Sequence, residues 1–147
     1  MATELRVRTV MELTAFFDAY LINGNNDFKE VCGVAYHEAI HDCAVDGGYS
    51  SIWTLCGLAS VIKRPVVSVY PQSINGAHDR VSSVLNRTLR PRLDSDERHP
   101  AIYIMWTRVG PPTGTIWTAN HFVPLLLQQD KSSSATTGLN DVRHHIL

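Results

Sequence analysis

The stretch Val34-Ala35-Tyr36-His37-Glu38-Ala39-Ile40-His41 ends in an HExxH pattern, His37 to His41. On a helix, positions i and i+4 share a face, so two imidazoles can hold one zinc ion while the glutamate between them activates a bound water. A peptidase of that kind also needs a third protein ligand and a cleft that excludes bulk solvent. The residues after His41 read Asp42-Cys43-Ala44-Val45-Asp46-Gly47-Gly48, with no further histidine at metzincin spacing, and the nearest downstream glutamate is Glu97. A small zinc peptidase on His37 and His41 is therefore the weaker alternative, and no cofactor is expected.

Sulfur and positive charge supply the other chemistry. The three cysteines, Cys32, Cys43 and Cys56, form no CxxC pair and are odd in number, which argues against a disulfide framework or a zinc ribbon. A nucleophilic thiolate needs a neighbouring base or a helix amino terminus. Cys56 is expected in mid-helix, and Cys32 and Cys43 fall on an apolar helical arc, so all three read as packing residues. Arg80, Arg87, Arg90 and Arg92, with Lys63 and Arg64, offer a basic patch for phosphate groups, but Asp79, Asp94, Asp96 and Glu97 dilute it. An ordinary solvated surface is the preferred reading, and nucleic acid stays an open question. Trp53, Trp106 and Trp117 read as core or cover residues before they read as an interface.

The elements that must position these residues follow from periodicity. Leu5, Val10, Leu13, Phe17 and Leu21 predict one amphipathic helix, ended by Asn23-Gly24-Asn25-Asn26. Asp27 is suited to cap a second helix running to about Val45, with Glu30 in the capping-box position. At 100° per residue, Phe28, Val31, Cys32, Ala35, Ala39 and Cys43 share one arc while His37 and His41 lie opposite, towards water. A third helix is expected from Ser50 or Ser51 to Ile62, followed by a buried strand between Pro65 and Pro71. Residues 81–85 suit a short helix and 90–100 a charged loop. Strands are expected over 101–107 and 121–127, joined by a Gly/Pro turn, with Pro124 assigning the second to an edge. Helices packed on a small sheet make a mixed α/β domain over residues 1–127, and the polar residues 128–147 are expected to be a disordered tail.

Bulk properties exclude several classes. With 147 residues and 44% hydrophobic content, one core is the default. A net charge of -1, from 13 basic and 14 acidic residues, leaves no general drive towards nucleic acid or an anionic membrane. The apolar stretches are too short to span a bilayer, and the amino terminus lacks a secretory signal, so an intracellular protein without a membrane partner is expected.

The run from Asp46 to Pro71 resembles the helix-strand unit of the OTU (ovarian tumour) cysteine-protease fold. The matching parts are Gly48-Tyr49-Ser50-Ser51, a turn that opens a helix; Gly57-Leu58-Ala59 near that helix's end; and the strand from Pro65 to Tyr70. Glu4 to Leu13 is similar to the helix that follows the nucleophile helix in that family. Asn120-His121-Phe122-Val123-Pro124-Leu125 is similar to its final strand, where a histidine followed by an aromatic is the catalytic base. The wording lies closest to the vertnin type and to transposon-related OTU-like domains.

By that resemblance the fold is OTU-like and His121 occupies the base position. Active members place an acid or amide two residues after the histidine, where this chain has Val123, and Asn120 is left as a weak orienter. The family's nucleophile comes from a D-G-x-C stretch upstream of the segment matched by Glu4–Leu13. Only three residues precede Glu4, so the domain is expected to be truncated at the amino terminus; Asp46-Gly47-Gly48-Tyr49 imitates the stretch on the wrong side of the second helix, with tyrosine in place of sulfur. The expectation is a catalytically silent domain acting through a protein partner, with ubiquitin as the ancestral one. The vertnin type adds a nuclear role in transcriptional regulation. A deubiquitinase whose cysteine lies upstream is the alternative.

Overall fold

A computed structural model describes residues 2–22, 26–71, 79–93, 99–109, 119 and 121–126. Its helices are α1 (Ala2–Ala15), α2 (Phe17–Ile22), α3 (Asn26–Cys32), α4 (Tyr36–Ala44), α5 (Ile52–Ile62) and α6 (Asp79–Leu85). Its strands are β1 (Val66–Val69), β2 (Arg87–Leu89), β3 (Ile102–Thr107) and β4 (His121–Leu125). They form one sheet in the order β2-β1-β3-β4, with β1 and β3 parallel and the other pairs antiparallel. This is the mixed α/β arrangement expected of an OTU-like fold.

Two predicted helices are each broken in two. The first breaks at Phe16, whose carbonyl accepts from Ala19 N–H at 3.1 Å, a tighter turn that redirects Phe17 and Tyr20 onto the Tyr36 ring. The second breaks at Gly33, which has φ +68° and donates its N–H to Lys29 O at 3.0 Å. A glycine in the left-handed region just past the last turn is a helix stop. Asp27 lies inside the first turn of α3 rather than capping it, and Glu30 pairs with Arg80 instead of closing a capping box. β2 was not anticipated, because three residues with one apolar side chain, Leu89, carry no alternation signal; it exists because Val66 and Ser68 of β1 offer a pairing edge. The expected strand over 101–107 and the edge position of Pro124 match β3 and β4. Trp117, the Gly/Pro turn and the tail from Gln128 lie outside the described residues, as does the side chain of Cys32.

The core sits between α5 and one face of the sheet. Trp53 is fully buried, with Phe28 and Tyr36 edge-on at 4.9 and 5.0 Å and its Nε1 donating to Val34 O. Each such ring contributes roughly 4–6 kcal/mol of transfer free energy before ordering costs. Gly57 lets α5 approach α1, since a Cβ there would lie 2.7 Å from Leu13 Cγ. The turn after α4 is drawn in by Arg6, whose guanidinium donates to the carbonyls of Cys43, Val45 and Gly48. Gly48 tolerates no side chain, because a Cβ would meet Asp42 O at 2.1 Å.

Strand alternation decides the sheet's other face. Val66, Ser68, Ile104 and Trp106 are buried towards α5, where Trp106 Nε1 donates to Ser68 Oγ at 2.8 Å. The opposite row is Val67, Val69, Tyr103, Met105, Val123 and Leu125, aligned by register, and Tyr103 and Leu125 are each 39% exposed. The sheet therefore has one packed face and one apolar face that stays partly open.

Candidate functional site

The HExxH residues sit on α4 as the helical arc required. Ala39 and Cys43 are buried, while His37, Glu38 and His41 are exposed. Glu38 already has a role: its Oε2 accepts the N–H of Ala35 at 3.0 Å, covering a free amide at the start of α4. His41 Nδ1 lies 3.7 Å from Asp42 Oδ1 on the open surface. Among the described residues, no three His, Cys, Asp or Glu side chains gather as a metal-holding group. Zinc chemistry would need a third ligand and a closed cleft beside this face.

The two thiols whose surroundings are described are both in the helical layer. Cys43 is buried on the inner face of α4, and burial raises its pKa against the lowering effect of Arg6. Cys56 is buried in mid-α5, where burial pushes the thiol up to about 12 despite the nearby Arg87 charge. Both therefore stay protonated at neutral pH, the opposite of an activated nucleophile.

His121 opens β4 opposite Thr107, and its exposed ring lies 6.3 Å from that of Phe122. Phe122 packs edge-on against Trp106 at 5.4 Å, which anchors the start of the strand. Cys56 lines a pocket with β2 residues at the far edge of the sheet. Three inter-strand spacings separate those edges, about 14 Å, well beyond hydrogen-bond reach. A cavity of about 190 Å³ beside β3 is lined by Tyr49, Ser51, Tyr70, Trp106 and Ala119 among others, with no thiol among the described residues. Tyr49 thus faces this cavity from the position where the imitated D-G-x-C stretch would carry sulfur. Asn120 lies outside the described residues.

The cations that sequence spacing grouped into one patch are dispersed by the fold. Arg80 pairs with Glu30 and Arg64 donates to Pro100 O. Arg87, Arg90 and Arg92 come together, lining a pocket of about 330 Å³ between α2, α5 and β2. Lys63 lines a neighbouring groove of about 760 Å³ along α1. Three groups that the sequence reading passed over, Glu12, Tyr20 and Ser60, join Arg92 in linking these features. Tyr20 donates to Glu12 Oε1 at 2.8 Å and its oxygen lies 2.8 Å from Ser60 Oγ; Arg92 Nε donates to the same Glu12 oxygen at 3.0 Å, and Arg92 N–H donates to Ser60 Oγ. Burial raises the Tyr20 phenol's pKa well above its ordinary value, with Ser60 opposing and Glu12 reinforcing the shift. The three-residue spacing of Phe17 and Tyr20 is the one local sign that both rings meet Tyr36, Tyr20 buried and Phe17 45% exposed.

Comparison with known proteins bears on which of these features belongs to a family. The family described as "Vertnin, OTU domain" matches residues 22–107, more than half of the chain and ending before β4. Vertnin of Bos taurus is 29% identical over 162 residues, covering 94% of this chain and 24% of the relative. Vertnin of Homo sapiens is 27% identical over 162 residues, at 95% and 22%, and that of Danio rerio is 27% identical over 154 residues, at 88% and 22%. The chain spans about a quarter of the length of these relatives. No solved structure matches it. With its helix-turn unit from Asp46, its buried α5 and its β1 strand all inside the matched segment, the chain belongs to the vertnin OTU-domain family.

Proposed function

We propose that this domain is a catalytically silent OTU-like module that works through protein contact, in the nuclear transcriptional regulation that the vertnin resemblance implies. The observation that carries the reading is the separation of base and sulfur: His121 is exposed at one edge of the sheet, and Cys56 is buried towards the other. A general base with neither Cys43 nor Cys56 available as an activated thiol lacks the sulfur nucleophile that the family's acyl transfer uses. In this reading His121 is a strand-end residue, Asn120 adds no orienting role, and the domain offers surface in place of turnover. Its protein partner includes ubiquitin as the first candidate, retained from the ancestral fold.

The test is a ubiquitin probe with an electrophilic carboxyl terminus. No covalent adduct is expected at Cys32, Cys43 or Cys56 after hours at neutral pH. Stable labelling of any of the three, lost in the matching serine variant, would overturn the reading. A second reading, a deubiquitinase whose nucleophile lies outside this segment, draws on the chain spanning only about a quarter of its relatives. The same probe on a full-length relative separates the two, because that reading requires an adduct outside the segment aligned with this chain.

A further inference from the structure

We infer that the pocket of Arg87, Arg90 and Arg92 binds an oxyanion side chain, carboxylate or phosphoryl, of a partner peptide, whose apolar neighbours lie in the adjoining groove along α1. This deepens the protein-contact reading and rests on it. The pocket, about 330 Å³, has no aspartate or glutamate among its described lining residues. Arg87 makes no hydrogen bond or ion pair with a described residue: its guanidinium lies 4.8 Å over the Phe28 ring, and its Nε is buried without a partner. Guanidinium stays charged at any working pH, so a desolvated donor of this kind is costly until an acceptor arrives. The planar fork of donors suits carboxylate and phosphoryl oxygens. Arg90 is exposed and unpaired among the described residues. Arg92 is held by Glu12 and Ser60, so it presents a fixed wall.

That wall also decides which macromolecule carries the oxyanion. Pro91 and Arg92 are shared with the groove of about 760 Å³, where Met11 and Leu93 are 64% and 67% exposed and Lys63 adds positive charge, Arg8 being paired with Glu4 and the lining Glu12 with Arg92. An apolar floor beside cations complements a peptide of mixed apolar and acidic residues. A nucleic-acid strand would need open aromatic faces for its bases. Phe16, the aromatic of this groove among the described residues, has one ring face taken by the Arg92 guanidinium at 3.4 Å and is 40% exposed overall, so it offers one open face and not a series of them.

Fluorescence anisotropy on the whole chain tests this with four labelled probes: a peptide alternating leucine and glutamate, one with leucine and phosphoserine, one with serine and glutamate, and an oligothymidine of equal charge. Saturable binding is expected for the first, the second or both, and which of them binds distinguishes carboxylate from phosphoryl. Arg90→Glu should weaken it about tenfold or more, the loss of a charge-assisted contact, with the melting temperature unchanged. Leu93→Ser should weaken the leucine peptides and not the serine one. In the bound state the Arg87 Nε–H resonance should move downfield. No binding of either leucine peptide, an unaffected Arg90→Glu variant, or tighter binding of oligothymidine would overturn the inference. Ubiquitin-probe labelling of the same sample reads the silent-domain proposal separately, so either can fail alone.

Discussion

Helix α4 turns His37, Glu38 and His41 towards solvent and Tyr36, Ala39 and Cys43 towards α1 and α5. The outward face carries a recognisable motif and makes few contacts. The inward face matches no motif, yet Tyr36 donates to Leu13 O at 2.8 Å, stacks against Tyr20 and meets Trp53 edge-on. Spacing along a helix says that residues share a face; what that face does is set by what the rest of the chain brings to it. On α4, chemistry-bearing residues received water, and residues of no apparent chemistry received the core.

The comparison breaks most readily at its inner side. Replacing Trp53 by alanine should cost about 3–5 kcal/mol in chemical denaturation, since it empties the site where Phe28, Tyr36 and Val34 converge. A loss no larger than that of a surface substitution would mean that the inner face is not the structural one. Alkali should act on the same layer. The Cys56 thiol, raised by burial from 9.0 to about 12, favours the folded state only while protonated. Its contribution is therefore complete below pH 9 and is lost as pH climbs through the folded value. Tyr20 and Tyr36, raised from 10.0, add to the decline only from about pH 10. Urea midpoints between pH 9 and 10 should fall in the native chain and fall less steeply in Cys56→Ala, where the buried Cys43 thiol, also raised from 9.0, keeps part of the decline; equal slopes would refute the assignment.

Smaller effects sharpen the contrast. Tyr36→Phe leaves the ring in place and removes the hydrogen bond to a buried carbonyl, which should lower stability by about 1–2 kcal/mol. Glu38→Ala should cost about 0.5–1 kcal/mol through the lost amide partner at Ala35. His37→Ala and His41→Ala should stay within about 0.5 kcal/mol of the native chain. If the purified protein retains one equivalent of zinc through dialysis and His37→Ala releases it, the outer face has the chemistry denied to it above.

Much of this was legible from residue order. The α5 helix, with Ser51 before it and Lys63 closing it in the left-handed region, matches the expected span because turn residues and an apolar run bound it locally. The direction of His37 and His41 survived the break at Gly33, since both belong to α4 and the arc is local to that helix. The break was itself readable, as a glycine in an otherwise helical run is the residue that a left-handed stop requires. β2 was not, because a three-residue strand is defined by its partner and Arg87-Thr88-Leu89 has no pattern of its own. The arginine pocket was missed as a pocket for a related reason: Arg80 and Arg64 are as basic as Arg90, and only folding paired those two with Glu30 and the Pro100 carbonyl.

Residue order alone determined the mixed α/β class, the faces of α4, the span of α5 and the D-G-G turn between them, because helical period, strand alternation and glycine geometry act within a few residues. Tertiary structure decided that His121 and the α5 residue Cys56 lie towards opposite edges of the sheet, that three arginines share one pocket, and that one sheet face stays partly open. Those outcomes depend on strand order and helix approach, which join residues tens of positions apart and leave no mark in local spacing.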